Sequence, residues 1–337
     1  MKRLDADMLA RRPTTRRGAL LTMGGLAAAI GCPAFAQDDR SPVRLLCGLA
    51  AGTGNDLTAR IVADRMKEVL GRPINVENKP GAAQRLTLNE LRRAPPDGRT
   101  LALATTGPFA IYPHIYTKLD YDPFRDFTPL CAVASFDVGI ASGSKTQAKT
   151  VAELVDAARA NPDNAIFGSP GNGSLSHFVG IALALNAKLD LTHVPYKDTG
   201  TLSIDLAAGR LPIVITGTSN LIESHRQGRI RIVAVSGAER TPAIPDVPTL
   251  QQAGINLTSA TTVGIFGPAG MAPDLVRRLH AAINGATETP DARIKLERVL
   301  FLPAHSTPEA LAAEIAADHK RFAVLVKASG YAPEAGG

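Results

Sequence analysis

Apolar positions fall along this chain in two alternating rhythms. Short apolar runs bounded by turn residues predict strands, and spacings of three and four predict helices. Residues 43–49 form the first strand-like run, after which Asn55 or Asp56 can cap a helix whose face carries Ile61, Val62, Met66 and Val69. Gly71-Arg72-Pro73 ends that helix with the expected Gly, then Pro. Strands are predicted at 74–77 and 101–105, with a helix at 85–93 between them. Thr150-Val-Ala-Glu153 is a capping box that opens a helix through residue 160. A strand at 165–168 leads to helices at 176–185 and 202–208, and buried-type strands follow at 212–215, 231–235 and 263–266. Two helices finish the chain. Pro273 opens the first, with Leu275, Leu279 and Ile283 on one face; Thr307-Pro308 opens the second, with Leu311, Ile315, Phe322 and Val326. This alternation predicts an α/β protein with mostly parallel sheets and helices on both faces.

The chain has 337 residues, which suggests two domains. No linker separates them, so the chain should cross on ordered strands, with 127–141 and 260–266 as crossover segments. Hydrophobic residues make up 45% and charged residues 20%, enough apolar content for two cores. Aromatics are 4% and Trp is absent, which argues against a base- or sugar-stacking surface. Three Cys exclude a disulfide scaffold and a four-Cys metal site.

The net charge of +6 is concentrated at the start. Residues 1–36 hold six Lys and Arg against two Asp, so +4 lies there and +2 on everything after. A nearly neutral body offers no footprint for nucleic acid. The basic segment precedes an apolar run at 18–31, too short to cross about 30 Å of hydrocarbon, and Ala34-Phe35-Ala36 is a small-x-small cleavage pattern. Residues 1–36 therefore read as a signal peptide cleaved after Ala36, and the mature protein as periplasmic. Arg16-Arg17 resembles a twin-arginine signal, with the general secretory route as the alternative. Gly31-Cys32 offers a rival lipidation site, although Ala29 stands where Leu is usual. Cys47 and Cys131 survive cleavage, as a disulfide or as two buried thiols.

Three Gly-rich loops follow predicted strands: Ala50-Ala-Gly-Thr-Gly-Asn-Asp56, Thr105-Thr-Gly-Pro108 and Ser169-Pro-Gly-Asn-Gly-Ser-Leu-Ser176. A Gly-rich turn entering a helix exposes backbone N–H groups, and the helix dipole adds partial positive charge. Such loops bind a carboxylate or phosphate without a side-chain cation, and three of them can converge beyond the carboxyl ends of strands. As satisfied connectors they would do nothing of the kind.

Enzyme signatures are missing from the sequence. Gly52-Thr-Gly54-Asn-Asp-Leu57 starts like a dinucleotide fingerprint but has Leu57 at the third Gly, with Glu77 only near the acidic spacing. There is no P-loop, zincin motif, Cys-x-x-Cys or nucleophile elbow. Ser174 and His177 lie three apart, the one pair that suggests an alternative periplasmic hydrolase or isomerase. No enzyme activity, cofactor or metal is expected.

The chain from about Val43 to Tyr331 resembles the substrate-binding receptors of tripartite tricarboxylate transporters, the Bug (Bordetella uptake gene) family. The motifs are Gly52-x-Gly54-Asn55-Asp56-x-x-x-Arg60, Val76-Glu-Asn-Lys-Pro-Gly81, Pro96-Asp-Gly-Arg-Thr-Leu101 and Tyr121-Asp-Pro123 with Asp126-Phe127. Gly171-Asn-Gly-Ser174 with Ser176-His177, His193-Val-Pro-Tyr-Lys197, Pro245-Asp-Val-Pro-Thr249 and Gly267-Pro-Ala-Gly270 follow in order. The resemblance implies a two-domain periplasmic-binding-protein flytrap of type II-like form, with domain 1 at 41–137 plus 262–337 and domain 2 at 138–261. It implies a receptor that captures a small carboxylate in the interdomain cleft for membrane permease subunits or a sensor protein, and a monomer is expected. The implied ligand-binding residues are Gly52, Gly54, Asn55 and Asp56 on the first loop and Thr105, Thr106 and Gly107 on the next. The other domain supplies Gly171, Asn172, Gly173, Ser174 and His177, with Tyr196 behind them and Thr216 where the family often has Asp. Ala83-Gln84-Arg85-Leu86-Thr87 replaces a family Gly-Gly-Asn-x-Gly, so Arg85 offers a cation for a second anionic group if its loop reaches the cleft, and is otherwise merely solvated.

Overall fold

The computed structural model describes residues 41–196 and 199–335; the expected signal peptide, its arginine pair and Cys32 lie outside them. Among the described residues the chain builds two sheets. The first holds β1 (Val43–Cys47), β2 (Ile74–Asn78), β3 (Thr100–Thr105), β4 (Phe127–Phe136), β10 (Thr261–Pro268) and β11 (Leu302–Pro303), in the order β11-β4-β10-β3-β1-β2. The second holds β5 (Val138–Ser142), β6 (Ile166–Ser169), β7 (Thr192–Pro195), β8 (Ile213–Gly217) and β9 (Arg231–Val235), in the order β7-β6-β8-β5-β9. Helices α1 (Gly54–Leu70), α2 (Arg85–Arg93) and the short α3 (Gly107–Ala110) and α4 (Tyr112–Ile115) follow strands of the first sheet. Helices α5 (Val151–Ala160), α6 (Leu175–Ala187), α7 (Thr199–Ala207) and α8 (Ile222–Arg226) belong to the second, and α9 (Pro273–Ile283), α10 (Pro290–Arg298) and α11 (Pro308–Ser329) close the chain.

Helix α1 shows how sequence sets local structure. Thr53 caps it, its Oγ1 accepting the Asp56 N–H, and Gly71 ends it in the left-handed region at φ 66°, its N–H donating to the Lys67 carbonyl. The buried stripe is Ala59, Val62, Ala63 and Met66, packed on β1 and β3. Val62 and Met66 were expected there; Val69 is instead 45% exposed, and the small Ala59 and Ala63 complete the buried stripe. Burying each larger side chain contributes about 1.5–3 kcal/mol.

The expectation of mostly parallel sheets needs correcting. β1–β2, β1–β3, β6–β7 and β6–β8 are parallel. β3–β10, β4–β10, β4–β11, β5–β8 and β5–β9 are antiparallel. For β4–β10 the cause is the double crossing. The chain leaves the first sheet along β4 into β5 and returns through β10, and a strand that returns beside one that leaves must run against it.

The two crossings lie side by side, with Phe136 opposite Thr261. Ser236 stitches them: its Oγ accepts the Val138 N–H at 3.1 Å and donates to the Ser259 carbonyl at 2.5 Å. Between β4 and β5 the Asp137 carboxylate accepts from Thr218 Oγ1 at 2.7 Å and Thr241 Oγ1 at 2.8 Å. Burial raises its pKa in spite of those two bonds. Helix α11 spans both sheets' helices: Phe322 and Val326 share one apolar cluster with Ile111 and Ile115 of the first and Phe178 of the second. Arg321 on α11 donates to the Thr258 carbonyl and to Ser259 Oγ beside the return crossing.

Cys47 and Cys131 are both free and fully buried. They sit on β1 and β4, with β10 and β3 between, so three strand spacings of about 4.8 Å separate them, far beyond the Cα separation a disulfide spans. Burial also pushes both thiol pKa values up. In a chain beginning at Gln37, neither thiol should react with a thiol-specific dye in the native state, and both should react in denaturant without reductant. Fast native labelling, or a need for reductant, would contradict this packing.

Candidate functional site

Loops at the ends of strands from both sheets line one cleft of about 800 Å³. From the first sheet come the turn between β1 and α1 and the turn between β3 and α3; from the second, the turn between β6 and α6 and the end of β8.

The first turn is built from short local bonds. Gly52, at φ 81°, sends its N–H to Asp56 Oδ2 at 2.9 Å. Thr53 Oγ1 accepts the Asp56 N–H, and the Thr53 carbonyl accepts the Leu57 N–H at 3.0 Å. A helix start leaves its first N–H groups without intrahelical acceptors. Here the caps satisfy the later ones, and among the described residues no acceptor in the fold takes the N–H groups of Gly54 and Asn55. Both residues line the cleft, and Asn55 Oδ1 is buried there without a protein partner. Asp56 turns away. Burial works against its charge, but bonds from the Gly52 N–H, Arg60 and Asn78 hold its carboxyl below the usual range.

The β6–α6 turn repeats this design. Gly173, at φ 70°, sends its N–H to His177 Nδ1 at 3.1 Å. Ser174 caps α6: its Oγ accepts the His177 N–H at 3.1 Å and donates to the Gly171 carbonyl at 3.1 Å, while its carbonyl takes the Phe178 N–H. Among the described residues, the N–H groups of Leu175 and Ser176 are then left without acceptors in the fold, and both residues line the cleft. In the β3–α3 turn, Gln84 grips Thr105 twice: its Oε1 accepts the Thr105 N–H at 3.1 Å and its Nε2 donates to Thr105 Oγ1 at 2.6 Å. The Thr106 N–H goes to the Thr262 carbonyl at 2.9 Å.

Of the expected site residues, Gly52, Gly54, Asn55, Thr105, Thr106, Gly107, Gly173, Ser174 and Thr216 line the cleft. Asp56, Gly171, Asn172, His177 and Tyr196 do not. Asp56 and His177 hold the loops from behind. Asn172 donates to Glu334 Oε1 at 3.0 Å, and the Tyr196 hydroxyl donates to Asp205 Oδ2 at 2.6 Å, each facing away. Gly171, at φ 86°, supplies the bend and the carbonyl that receives the Ser174 proton. Arg85 does not reach the cleft either. Its guanidinium lies over the Tyr116 ring, 4.3 Å from the centroid, and its Nε donates to the Ala82 carbonyl.

A model of the family described as TctC, tripartite tricarboxylate transporter family receptor, matches residues 58–331. The chain belongs to that family. It is 29% identical over 326 residues to a UPF0065 protein in the gbd 5′ region of Cupriavidus necator, covering 94% of this chain and 99% of that one. Among solved structures, an R. palustris protein with adipate is 26% identical with a TM-score of 0.77, covering 87% of this chain and 98% of that one. MatC from Rhodopseudomonas palustris, with bound malate, is 28% identical with a TM-score of 0.72, covering 85% and 98%. The receptor is a two-domain α/β flytrap of the Bug type.

The receptor's Ser174–His177 pair lacks the geometry of a nucleophile and its base. The Ser174 proton goes to the Gly171 carbonyl, and the His177 ring nitrogen that faces the loop accepts from Gly173. His177 instead stacks on His193, ring centroids 4.0 Å apart, and His193 Nε2 meets Ser169 Oγ at 2.7 Å. Among the described residues no group of three or more His, Cys, Asp or Glu is arranged to hold a metal ion. Residue-by-residue reading missed Gln84, Ser219, Asn220, Arg298, Phe301 and Asp318, all of which line the cleft. For Arg298 a signal existed: Thr289-Pro290 starts α10 as Thr307-Pro308 starts α11, with Thr289 Oγ1 accepting the Ala292 N–H.

Burial lowers the pKa of His177 and of His193 from the ordinary 6.5 to about 4, His193 also through His177. Between these values the unfolded chain binds more protons than the folded one, so their contribution is complete above about pH 6.5 and is lost as pH falls toward about 4. A His193→Gln variant should lose stability less steeply across that window than the parent, measured by denaturant melts at several pH values. Parallel curves would refute buried neutral imidazoles here.

Ser174→Ala removes a helix cap as well as a cleft hydroxyl. It should cost about 1 kcal/mol of stability by calorimetry. An unchanged melting temperature would show that the cap bond contributes nothing.

Proposed function

We propose that the receptor captures a small organic carboxylate by gripping it between the N-termini of α1 and α6, one from each lobe. The observation that carries this reading is the set of N–H groups at Gly54, Asn55, Leu175 and Ser176, left without acceptors in the fold and brought to one cleft. A helix N-terminus carries about half a positive charge, and a hydrogen bond to a charged group contributes about 1.5–3 kcal/mol. Two such termini hold a carboxylate without a lysine or arginine at the anchor. The hydroxyls of Thr106, Ser174 and Thr216 border the same space. The structural relatives solved with adipate and malate support the ligand class.

The two lobes act as domains 41–137 plus 262–337 and 138–261, hinged where Asp137 and Ser259 sit. Residues 1–36 direct export through the twin-arginine route, with cleavage after Ala36, and the mature receptor works as a periplasmic monomer. It binds and releases its ligand unchanged, passing it to permease subunits or to a sensor. At Thr216 the side chain accepts from Asn220 Nδ2 at 3.2 Å, a neutral arrangement that gives a ligand ammonium no partner. Asp318 lines the cleft too, but it is paired with Arg321 at 2.8 Å. The receptor therefore favours non-amino acids.

Calorimetry should give succinate tighter binding than aspartate, and small-angle scattering should show a smaller radius once ligand bridges both lobes. Tighter aspartate binding would overturn the selectivity. No heat with succinate, malate or adipate would overturn the ligand class.

A further inference from the structure

Arg298 is the last residue of α10 and lines the cleft. Among the described residues lining it, Arg298 and Asp318 are the only charged ones. They differ in one respect. The Asp318 carboxylate already has a partner in Arg321, whereas the Arg298 side chain makes no hydrogen bond or ion pair with any described residue.

The turn that carries Arg298 is seated on both lobes. The N–H of Val299 and that of Phe301 both donate to the Leu296 carbonyl, closing the helix end. The Phe301 ring stacks on Phe136, centroids 4.7 Å apart. It also fills the space beside Gly54, where an added Cβ would lie 2.7 Å from the ring. Leu300, left-handed at φ 53°, packs against the core of the second lobe. Arg298 thus lines the same cleft as Gly54 and Asn55, on a turn wedged between the lobes.

We propose that Arg298 is the specificity-determining cation of the cleft and recognises the second acid group of a dicarboxylate. This rests on the carboxylate reading above. The helix N-termini supply the anchor for one carboxylate, and a guanidinium presents its donors in a fork that matches the geometry of another. Arg85, the cation expected from the sequence, is committed to the Tyr116 ring and takes no part.

The test is calorimetry on the full mature receptor with two matched pairs, succinate against butyrate and adipate against hexanoate. The proteins are the parent, Arg298→Gln, Arg298→Lys and Arg85→Gln, each checked for an unchanged melting temperature. The parent should bind at least one diacid more tightly than its monoacid. Arg298→Gln should weaken that diacid about tenfold and shift the monoacid by less than about twofold, the loss of one charge-assisted contact. Arg298→Lys should fall between, and Arg85→Gln should match the parent. An intact diacid preference in Arg298→Gln, or equal loss on both members of a pair, overturns the role of Arg298 while the anchor stands. Failure of all four acids to bind the parent overturns the anchor, and this proposal with it.

Discussion

A helix that begins directly off a strand must leave its first N–H groups unpaired within the helix, and the cleft of this receptor is arranged around that debt. In α1 and α6 the caps Thr53 and Ser174 satisfy the third amide of each helix. The first two amides of each helix are left over. Each preceding loop solves the same problem in the same way: a left-handed glycine sends its N–H to a side chain four residues on, Gly52 to Asp56 and Gly173 to His177. The acceptors differ in charge, yet both pull the loop amide backward and so turn the helix amides toward the cleft. That explains why Asp56 and His177 can matter to the site without lining it.

The crossing strands impose the second constraint. Polar groups buried where the strands cross must keep their partners, and Asp137, Ser236 and Ser259 do so with short hydrogen bonds between segments distant in sequence. In the proposed closure, their placement between adjacent strands would concentrate bending at a few residues. Helix α11 reinforces this from outside, since its aromatic Phe322 packs with Phe178 of the other lobe.

The parts of the fold that were legible in the sequence are those governed by local chemistry. The capping box at Thr150, the Gly–Pro stop after α1 and the glycine loops at 52 and 173 need only a few neighbouring residues to be understood. What was not legible depended on distant packing. Helix α10 has only Ala292 and Leu296 buried among charged residues, so its apolar rhythm is too thin to register. The antiparallel β4–β10 pairing follows from the direction of the return crossing, which periodicity does not encode. The place of Arg85 was left open for a subtler reason. Ala82, Ala83 and Gln84 all take positive φ, a run that glycines would adopt freely. That turn commits Gln84 to Thr105, while Arg85 lies over Tyr116. Backbone handedness at three non-glycine residues decided which side chain lined the cleft.

Leu300 has a consequence for how affinity is divided. Its side chain belongs to one lobe and rests on the apolar core of the other. If the lobes part as proposed, that leucine and its seat would be bared to water, and closing would dry them again. On that closure, part of the free energy that holds a ligand would be stored in a contact the ligand never touches. Two acids with identical contacts would share that contribution equally, and a change at Leu300 would move the whole affinity scale without reordering it.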